Sequence, residues 1–248
     1  MNSVLEEILR SRQITAPDGT ILPLHSHVSR EQGQFLREIV EQLRATTSLE
    51  IGLAYGVSAL FICDAMVQQE NARHIAIDPG QVANWDCIGV HHLRQAGYEN
   101  LFELREQPSF RALPQLLEEG TQVDFAFVDG EHTFDFVLLD FFYIDRLLRL
   151  GGVVAFDDTH IPSIRRVCRF VATNRHYRVL RCLPATPAEF VKRRLVSPWL
   201  DSARGSRALL SKVAGPSDHA LGLDPSSRCI AFEKLDHDDR QWEFHRDF

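Results

Sequence analysis

Two groups of aspartate and histidine residues stand at positions where their side chains could meet. Asp129 and His132 come directly after one apolar run, and Asp157, Asp158 and His160 come directly after the next. Residues that follow neighbouring parallel strands share one edge of the sheet, where ligands bind. Carboxylates gathered there repel each other unless a cation, a shared proton or a basic neighbour compensates. The cluster therefore suits a hard cation such as Mg²⁺, and the alternative is a set of separate caps and turn acids facing water.

A glycine-containing turn follows an earlier predicted strand. Gly52 and Gly56 form a G-x-x-x-G loop, in which the backbone can turn tightly and come close to a ligand. The loop lacks the G-x-G-x-x-G pattern of dinucleotide binders and the lysine of a phosphate-binding loop. The segment therefore predicts either a ligand-binding loop or a plain tight turn.

Further polar residues follow the second and third predicted strands. Asp78 lies roughly 20 residues beyond the glycine loop, where an acid can accept hydrogen bonds from ribose hydroxyls. Its alternative role is to cap a turn. Ser109 and Phe110 open a helix and could border an adenine ring, or serve as a helix cap and a core residue.

Strands and helices alternate through most of the chain, which predicts an α/β fold with a mostly parallel sheet and helices on both faces. The helices are expected at 30–45, 57–69, 83–96, 110–117, 134–148 and 162–171. The seven strands are expected at 49–52, 74–78, 101–104, 123–128, 153–156, 177–183 and 229–232.

The chain divides into a core and less regular segments. We expect an N-terminal segment at 1–28, a core at 29–183, an insertion or lid at 184–226, and the last strand and tail of the core at 227–248. The insertion carries a basic cluster, Lys192, Arg193 and Arg194. This cluster fits a solvated helix face, with an anionic substrate group or a protein partner as alternatives.

Composition excludes several classes of protein. The formal net charge of -7 and the pI of about 5.9 are not those of a nucleic-acid binder. The 5 cysteines include no CxxC pair, which fits reduced thiols. The first residues carry acids where a signal peptide is basic, and no apolar run approaches the roughly 20 residues of a membrane span. We expect a cytoplasmic protein with no nucleic-acid or membrane partner.

In this order, the motifs resemble those of class I S-adenosylmethionine-dependent O-methyltransferases. The chain looks closest to macrocin-type sugar O-methyltransferases, and more distantly to catechol O-methyltransferase. The resemblance covers roughly residues 25–180 and the last strand. The segments that carry it are VSREQGQFLREIV, LEIGLAYGVSALFICDAM, HIAIDPGQ, SFRALPQL, FAFVDGEHTFDFVLLDFFYIDRLLRLGG and VVAFDDTH.

The resemblance implies a Rossmann-like, doubly wound, mostly parallel seven-stranded sheet and S-adenosylmethionine as cofactor. Within that fold, Glu50, Gly52 and Gly56 would lie along the methionine part, Asp78 would hold the ribose, and Ser109 with its neighbours would border the adenine. The complete set of expected cofactor-binding residues is Glu50, Gly52, Gly56, Ser58, Asp78, Ser109, Phe110 and Asp129.

The same resemblance implies which residues bind a metal ion, which residue acts as the base and which acceptor is methylated. Asp129, Asp157 and Asp158 match the ligands of a divalent cation, Mg²⁺ or another. His132 would be the general base, with His160 the next candidate. The third carboxylate is closer to the sugar-modifying relatives, so we expect a sugar hydroxyl as acceptor, followed by a phenolic or catechol-like small molecule. A homodimer is compatible with the family.

Other functions remain open at this stage. A non-catalytic protein could retain the S-adenosylmethionine pocket, and a Rossmann oxidoreductase would bind a nicotinamide cofactor. Nitrogen or carbon acceptors are further alternatives, but they would not require the metal that the carboxylate cluster suggests.

Overall fold

The computed structural model describes residues 1–184, 216–244 and 246–248. Most of the predicted insertion, including the basic cluster 192–194, lies outside the described residues. None of the described helices combines the length and the apolarity that a membrane span requires.

The described elements alternate as the sequence predicts. The helices are α1 (Ser3–Ser11), α2 (Arg30–Leu43), α3 (Val57–Met66), α4 (Gln81–Trp85), α5 (Ile88–Gln95), α6 (Ser109–Glu118), α7 (Phe134–Leu147) and α8 (Pro162–Asn174). The strands are β1 (Gln13–Thr15), β2 (Ile21–Pro23), β3 (Thr47–Ile51), β4 (Arg73–Ile77), β5 (Phe102–Arg105), β6 (Val123–Val128), β7 (Leu148–Phe156), β8 (Tyr177–Pro184) and β9 (Ser227–Lys234).

Strands β3 to β9 form one seven-stranded sheet in the order β5-β4-β3-β6-β7-β9-β8. Strands β5, β4, β3, β6 and β7 are parallel, and β9 runs antiparallel between β7 and β8. The chain moves outward from β3 to β5 and then returns to place β6 on the other side of β3. This reversal opens a crevice at the carboxyl ends of β3 and β6. The predicted fold class is confirmed.

Both faces of the sheet are covered, because successive side chains of a strand point to opposite sides. Phe125 and Phe127 of β6 join a buried cluster with α1, α2, α3 and α5. Ala126 and Val128 join a second cluster with α6, α7 and α8. The sheet is thereby fixed between two apolar layers, and its carboxyl edge is held in place.

The prediction of one continuous helix at 83–96 is wrong, because the structure has two helices there. Asp86 and Cys87 have left-handed backbone angles, with φ of 48° and 54°, and they separate α4 from α5. His92, in α5, is buried, and its Nδ1 lies 2.9 Å from the Tyr55 carbonyl oxygen. The break turns α5 so that this ring faces the protein.

The N-terminal segment packs against the helices of one layer. Helix α1 buries Leu5 and Ile8, and the β1–β2 hairpin buries Ile14. Ser29 caps α2, since its hydroxyl accepts a hydrogen bond from the backbone N–H of Gln32 at 3.2 Å. Ser26, His27 and Val28, between the hairpin and α2, border the crevice.

Asp140 of α7 makes stability depend on pH. Only 1% of this residue is exposed, and burial raises the pKa of its carboxyl to about 6, although a Ser109 hydrogen bond acts to lower it. Above that pH the fold must hold a buried charge that the unfolded chain solvates. As the pH falls from about 6 to about 4, this cost disappears.

We therefore expect Asp140→Asn to raise the free energy of unfolding by about 1–3 kcal/mol near pH 8, and by clearly less near pH 4.5. Urea unfolding at the two pH values measures the difference. Asp135→Asn, at an exposed position of the same helix, is the control and should not stabilise the protein. Equal gains for both variants would show that burial of Asp140 is not the cause.

Candidate active site

Gly52 allows strands β3 and β6 to meet closely at the crevice. Its N–H donates to the Ile77 carbonyl oxygen, and the N–H of Asp129 donates to the Ile51 carbonyl oxygen, both at 2.9 Å. The φ of Gly52 is +91°, and a Cβ there would lie 2.1 Å from the Asp129 carbonyl oxygen. Only glycine fits this position, which brings the glycine loop against the first predicted acidic segment.

A cavity of about 520 Å³ opens beside this contact. Six of the eight predicted cofactor-binding residues line it: Gly52, Ser58, Asp78, Ser109, Phe110 and Asp129. Glu50 and Gly56 do not. Gly56 instead supports the turn, where it precedes α3 with a φ of +75°.

Glu50 lies beneath the glycine loop and is fully buried. Its Oε2 is 3.3 Å from Nε2 of His74, whose Nδ1 is 2.8 Å from the Ser48 hydroxyl. Although it does not line the cavity, the Glu50 charge contributes to a raised pKa at Asp129. Its contact with the cofactor remains a prediction, and the partner of its side chain in the structure is His74 of the neighbouring strand.

Asp78 ties the glycine loop to β4. Its Oδ2 accepts hydrogen bonds from the N–H groups of Leu53 and Ala54 at 3.0 and 2.9 Å, and from the Gln81 amide at 3.0 Å. Its Oδ1 accepts from the Gly80 N–H at 2.8 Å. A carboxylate oxygen has two lone pairs, so Oδ1 retains acceptor capacity toward the cavity. The side chain thus caps the turn, as the alternative reading held, and can also receive a ribose hydroxyl.

Several residues at the cavity were not identified from the sequence. Trp85 ends α4, and Phe136 lies 6.3 Å from Phe110 between ring centroids. His27 and Val28 come from the N-terminal segment. The G-x-x-x-G and strand-end signals cannot reveal them, because their positions depend on how α4, α7 and the N-terminal segment pack.

A second cavity of about 740 Å³ adjoins the first. Both are lined by Asp129 and Trp85, which therefore stand between them. The residues that line the second cavity include His132, Asp157 and Asp158 at the sheet edge and several residues of the N-terminal segment. A ligand in the first cavity would thus lie next to a ligand in the second.

The structure brings the predicted metal ligands and the predicted base together. Nε2 of His132 lies 3.1 Å from Oδ2 of Asp158 and 3.9 Å from Oδ1 of Asp129. Nδ1 of His160 lies 3.6 Å from Oδ1 of Asp158. Asp157 is nearly buried, and its Oδ1 accepts the N–H of Asp158 at 2.6 Å. Asp158 itself has a left-handed φ of 48°, which turns the chain at this point.

Charges in this cluster shift one another's protonation. Burial, followed by repulsion from Asp157 and Asp158, raises the pKa of Asp129 well above its ordinary value. Burial and Asp158 raise the pKa of Asp157 to about 6. Burial acts to raise the pKa of Asp158, but the hydrogen bond from His132 brings it below its ordinary value. That same hydrogen bond raises the pKa of His132, which makes the neutral ring a stronger base.

The cluster offers oxygen donors that suit a hard cation, but these side chains are not arranged as a complete set of ligands around one ion. Repelling carboxylates with raised pKa values are relieved by positive charge, and oxygen donors suit Mg²⁺. Among residues 1–184, 216–244 and 246–248, however, no group of three His, Cys, Asp or Glu side chains is arranged to hold one ion. In this structure the imidazole of His132 contacts Asp158 instead.

Comparison with known proteins shows which proteins the core of the chain resembles. Residues 49–159 match a family described as "Methyltransferase domain". The chain is 32% identical over 133 residues to Tapetum-specific methyltransferase 1 of Arabidopsis thaliana, covering 52% of this chain and 53% of that protein. It is 30% identical over 133 residues to Caffeoyl-CoA O-methyltransferase 1 of Eucalyptus globulus, covering 53% and 52%. The chain thus spans about half the length of these curated relatives.

Solved structures share the fold. An O-methyltransferase from Bacillus cereus in complex with SAH superposes with a TM-score of 0.63 at 22% identity, covering 76% of this chain and 87% of that one. The O-methyltransferase TomG from Streptomyces achromogenes in complex with SAM gives 0.63 at 17% identity, covering 95% and 90%. Together with the matched family, these findings confirm the predicted resemblance to class I S-adenosylmethionine-dependent O-methyltransferases.

Proposed function

We propose that this chain, which carries a class I methyltransferase domain, transfers the methyl group of S-adenosylmethionine to a hydroxyl of a small molecule or sugar. One observation carries the proposal: a cavity lined by the predicted cofactor residues shares Asp129 with a second cavity that is lined by His132. The two cavities provide adjacent places for a donor, an acceptor and a base.

The residues that line the first cavity suit the chemistry of S-adenosylmethionine. Oδ1 of Asp78 can accept from a ribose hydroxyl, and Phe110 and Phe136 provide an apolar side for the adenine. Two O-methyltransferases of the same fold are described as complexes with SAH and with SAM. This support concerns the pocket, and the activity of the whole chain is our proposal.

When bound, S-adenosylmethionine supplies a methyl group made electrophilic by a positively charged sulfur. The walls of the second cavity orient the acceptor hydroxyl, and His132 takes its proton on Nδ1, the ring nitrogen other than the one that donates to Asp158. The acceptor oxygen then forms a bond to the methyl carbon, while the carbon–sulfur bond breaks and its electron pair stays on sulfur. Asp158 holds the His132 ring and stabilises the imidazolium that forms. Placement of the two reactants contributes several kcal/mol, on the order of 7 in favourable cases.

The cofactor assignment is tested by calorimetric titration of the full chain with S-adenosylmethionine, beside an NAD control. We expect micromolar binding of S-adenosylmethionine alone. Asp78→Asn should weaken this binding by about 10- to 100-fold, because a hydrogen bond to a charged acceptor is lost.

Asp86→Asn is the matched control, since Asp86 is exposed and does not line the cavity. It should leave the affinity unchanged. Binding of NAD in place of S-adenosylmethionine would overturn the proposal in favour of an oxidoreductase. Binding without turnover of any acceptor would favour the non-catalytic alternative.

We also propose that a divalent cation, Mg²⁺ in the first instance, assists the reaction through Asp129, Asp157 and Asp158. Such an ion would supply positive charge beside the acceptor oxygen and relieve the repulsion among the carboxylates. We expect excess EDTA to abolish turnover and Mg²⁺ to restore it.

A second readout for the metal is independent of turnover. Titration of the chelator-treated protein with Mg²⁺ should give binding that Asp157→Asn removes. Full activity in excess chelator, together with no measurable Mg²⁺ binding, would leave the aspartates a hydrogen-bonding role only.

The acceptor and the assembly follow as further proposals. The O-methyltransferase relatives support a small-molecule hydroxyl, and a panel of sugars and catechol-like phenols distinguishes the two classes expected from the sequence. We also propose that the protein is cytoplasmic and has no nucleic-acid or membrane partner. We propose further that it forms a homodimer, which analytical sedimentation would detect.

A further inference from the structure

Two arginines border the second cavity, in a chain whose formal net charge is -7. Arg12 directly follows α1 and belongs to the N-terminal segment, whereas Arg228 lies in β9. Guanidinium groups keep their charge at every ordinary pH and bind carboxylates and phosphates through several N–H groups. The cavity therefore has cationic groups on its border as well as the carboxylates at the sheet edge.

The two arginines differ in how their charge is compensated. Nε of Arg228 lies 4.0 Å from Oδ1 of Asp157, so part of its charge serves the carboxylate cluster. Arg12 is exposed, and none of the carboxylates in the described parts of the chain forms an ion pair with it. Arg12 is thus the arginine at this cavity whose charge is available to a ligand.

His27 responds to the positive potential on this side of the cavity. This half-buried residue lines both cavities. Burial lowers the pKa of its imidazole, and the charges of Arg12, Arg228 and His25 lower it further. The contribution of the two arginines to the lowered pKa of His27 indicates a positive potential at this ring, and such a potential attracts anions.

We propose that the acceptor carries an anionic group, a carboxylate or a phosphate, and that Arg12 binds this group at the N-terminal wall of the second cavity. The inference rests on the proposed methyltransferase function and adds the chemical class of the acceptor. The charge of Arg12 attracts the anionic group, which leaves the hydroxyl end of the same molecule for His132. The uneven charge of the cavity thus orients the acceptor for methyl transfer.

The test compares pairs of acceptors that differ only in the anionic group. The first pair is 3,4-dihydroxybenzoate and its methyl ester, and the second is glucose 6-phosphate and glucose. Formation of S-adenosylhomocysteine measures turnover, and calorimetry on protein loaded with S-adenosylhomocysteine measures binding. The first pair represents a carboxylate and the second a phosphate, so the preferred pair identifies the anion.

We expect the anionic member of at least one pair to be preferred over its neutral partner by about 10-fold or more in kcat/KM or in affinity. Arg12→Gln should remove most of that preference and leave about 2-fold or less. Arg10→Gln is the matched control, because Arg10 is exposed in the last turn of α1, the helix that Arg12 follows, and it pairs with Glu7. It should leave the preference as it is in the unaltered protein.

The outcomes separate this inference from the proposed function. If the anionic members are used and bound no better than the neutral ones, or if Arg12→Gln and Arg10→Gln behave alike, the inference is overturned while methyl transfer can still stand. If S-adenosylmethionine does not bind at all, the proposed function fails first.

Discussion

His132→Ala is expected to lower kcat by about 10²–10⁴-fold while the affinity for S-adenosylmethionine changes by less than about 2-fold. The reason is positional: His132 lines the second cavity but not the first, and Asp158 holds its Nε2 at 3.1 Å. Loss of the ring removes the proton acceptor and leaves the donor pocket intact. Steady-state kinetics with an acceptor found by the panel, beside calorimetry with S-adenosylmethionine, measures both quantities.

His160→Ala is the matched control for this prediction. His160 also contacts Asp158, at 3.6 Å, but it is not among the residues that line either cavity. We expect a much smaller loss of kcat than for His132→Ala. A larger loss at His160 would transfer the role of base to that residue, and unchanged activity in both variants would exclude a histidine base at this site.

The strand ends were accessible to sequence reasoning because they depend on local patterns. Short apolar runs separated by helical periodicity predict parallel strands, and residues after such strands must meet at one edge. Asp129, Asp157 and Asp158 were located in this way, and the structure brings them together with His132. The resemblance to known methyltransferases added roles that spacing alone could not assign.

The rest of the site depends on packing between distant segments. His27 and Arg12 reach the second cavity only because α1 and the hairpin pack on the core. The hydrogen bonds of Asp78 to the glycine loop arise from the fold of that loop. The break at Asp86 has no glycine or proline to mark it, so helical periodicity runs through it in the sequence. Such features follow from tertiary contacts that override local preference.

Gly52→Ala is expected to lower the free energy of unfolding by at least about 3 kcal/mol and to abolish measurable binding of S-adenosylmethionine. Two effects add at this position. The φ of +91° is unfavourable for a residue with a Cβ, and that Cβ would lie 2.1 Å from the Asp129 carbonyl oxygen. Because the backbone fixes the position of a Cβ and the atoms that it would meet are themselves backbone atoms, no side-chain rotation can relieve the clash. The strands would have to separate at the point where the two cavities meet.

Gly19→Ala isolates the first of these effects. Gly19 has a φ of +88°, and a Cβ there would meet nothing within 4 Å. We expect it to cost about 1 kcal/mol, the strain of the backbone angle alone. Urea unfolding of both variants gives the difference, which measures how tightly β3 and β6 are held together. Equal losses of unfolding free energy in the two variants would show that β3 and β6 can move apart to accommodate an added methyl group. The contact at Gly52 would then not be what keeps the donor and acceptor cavities adjacent.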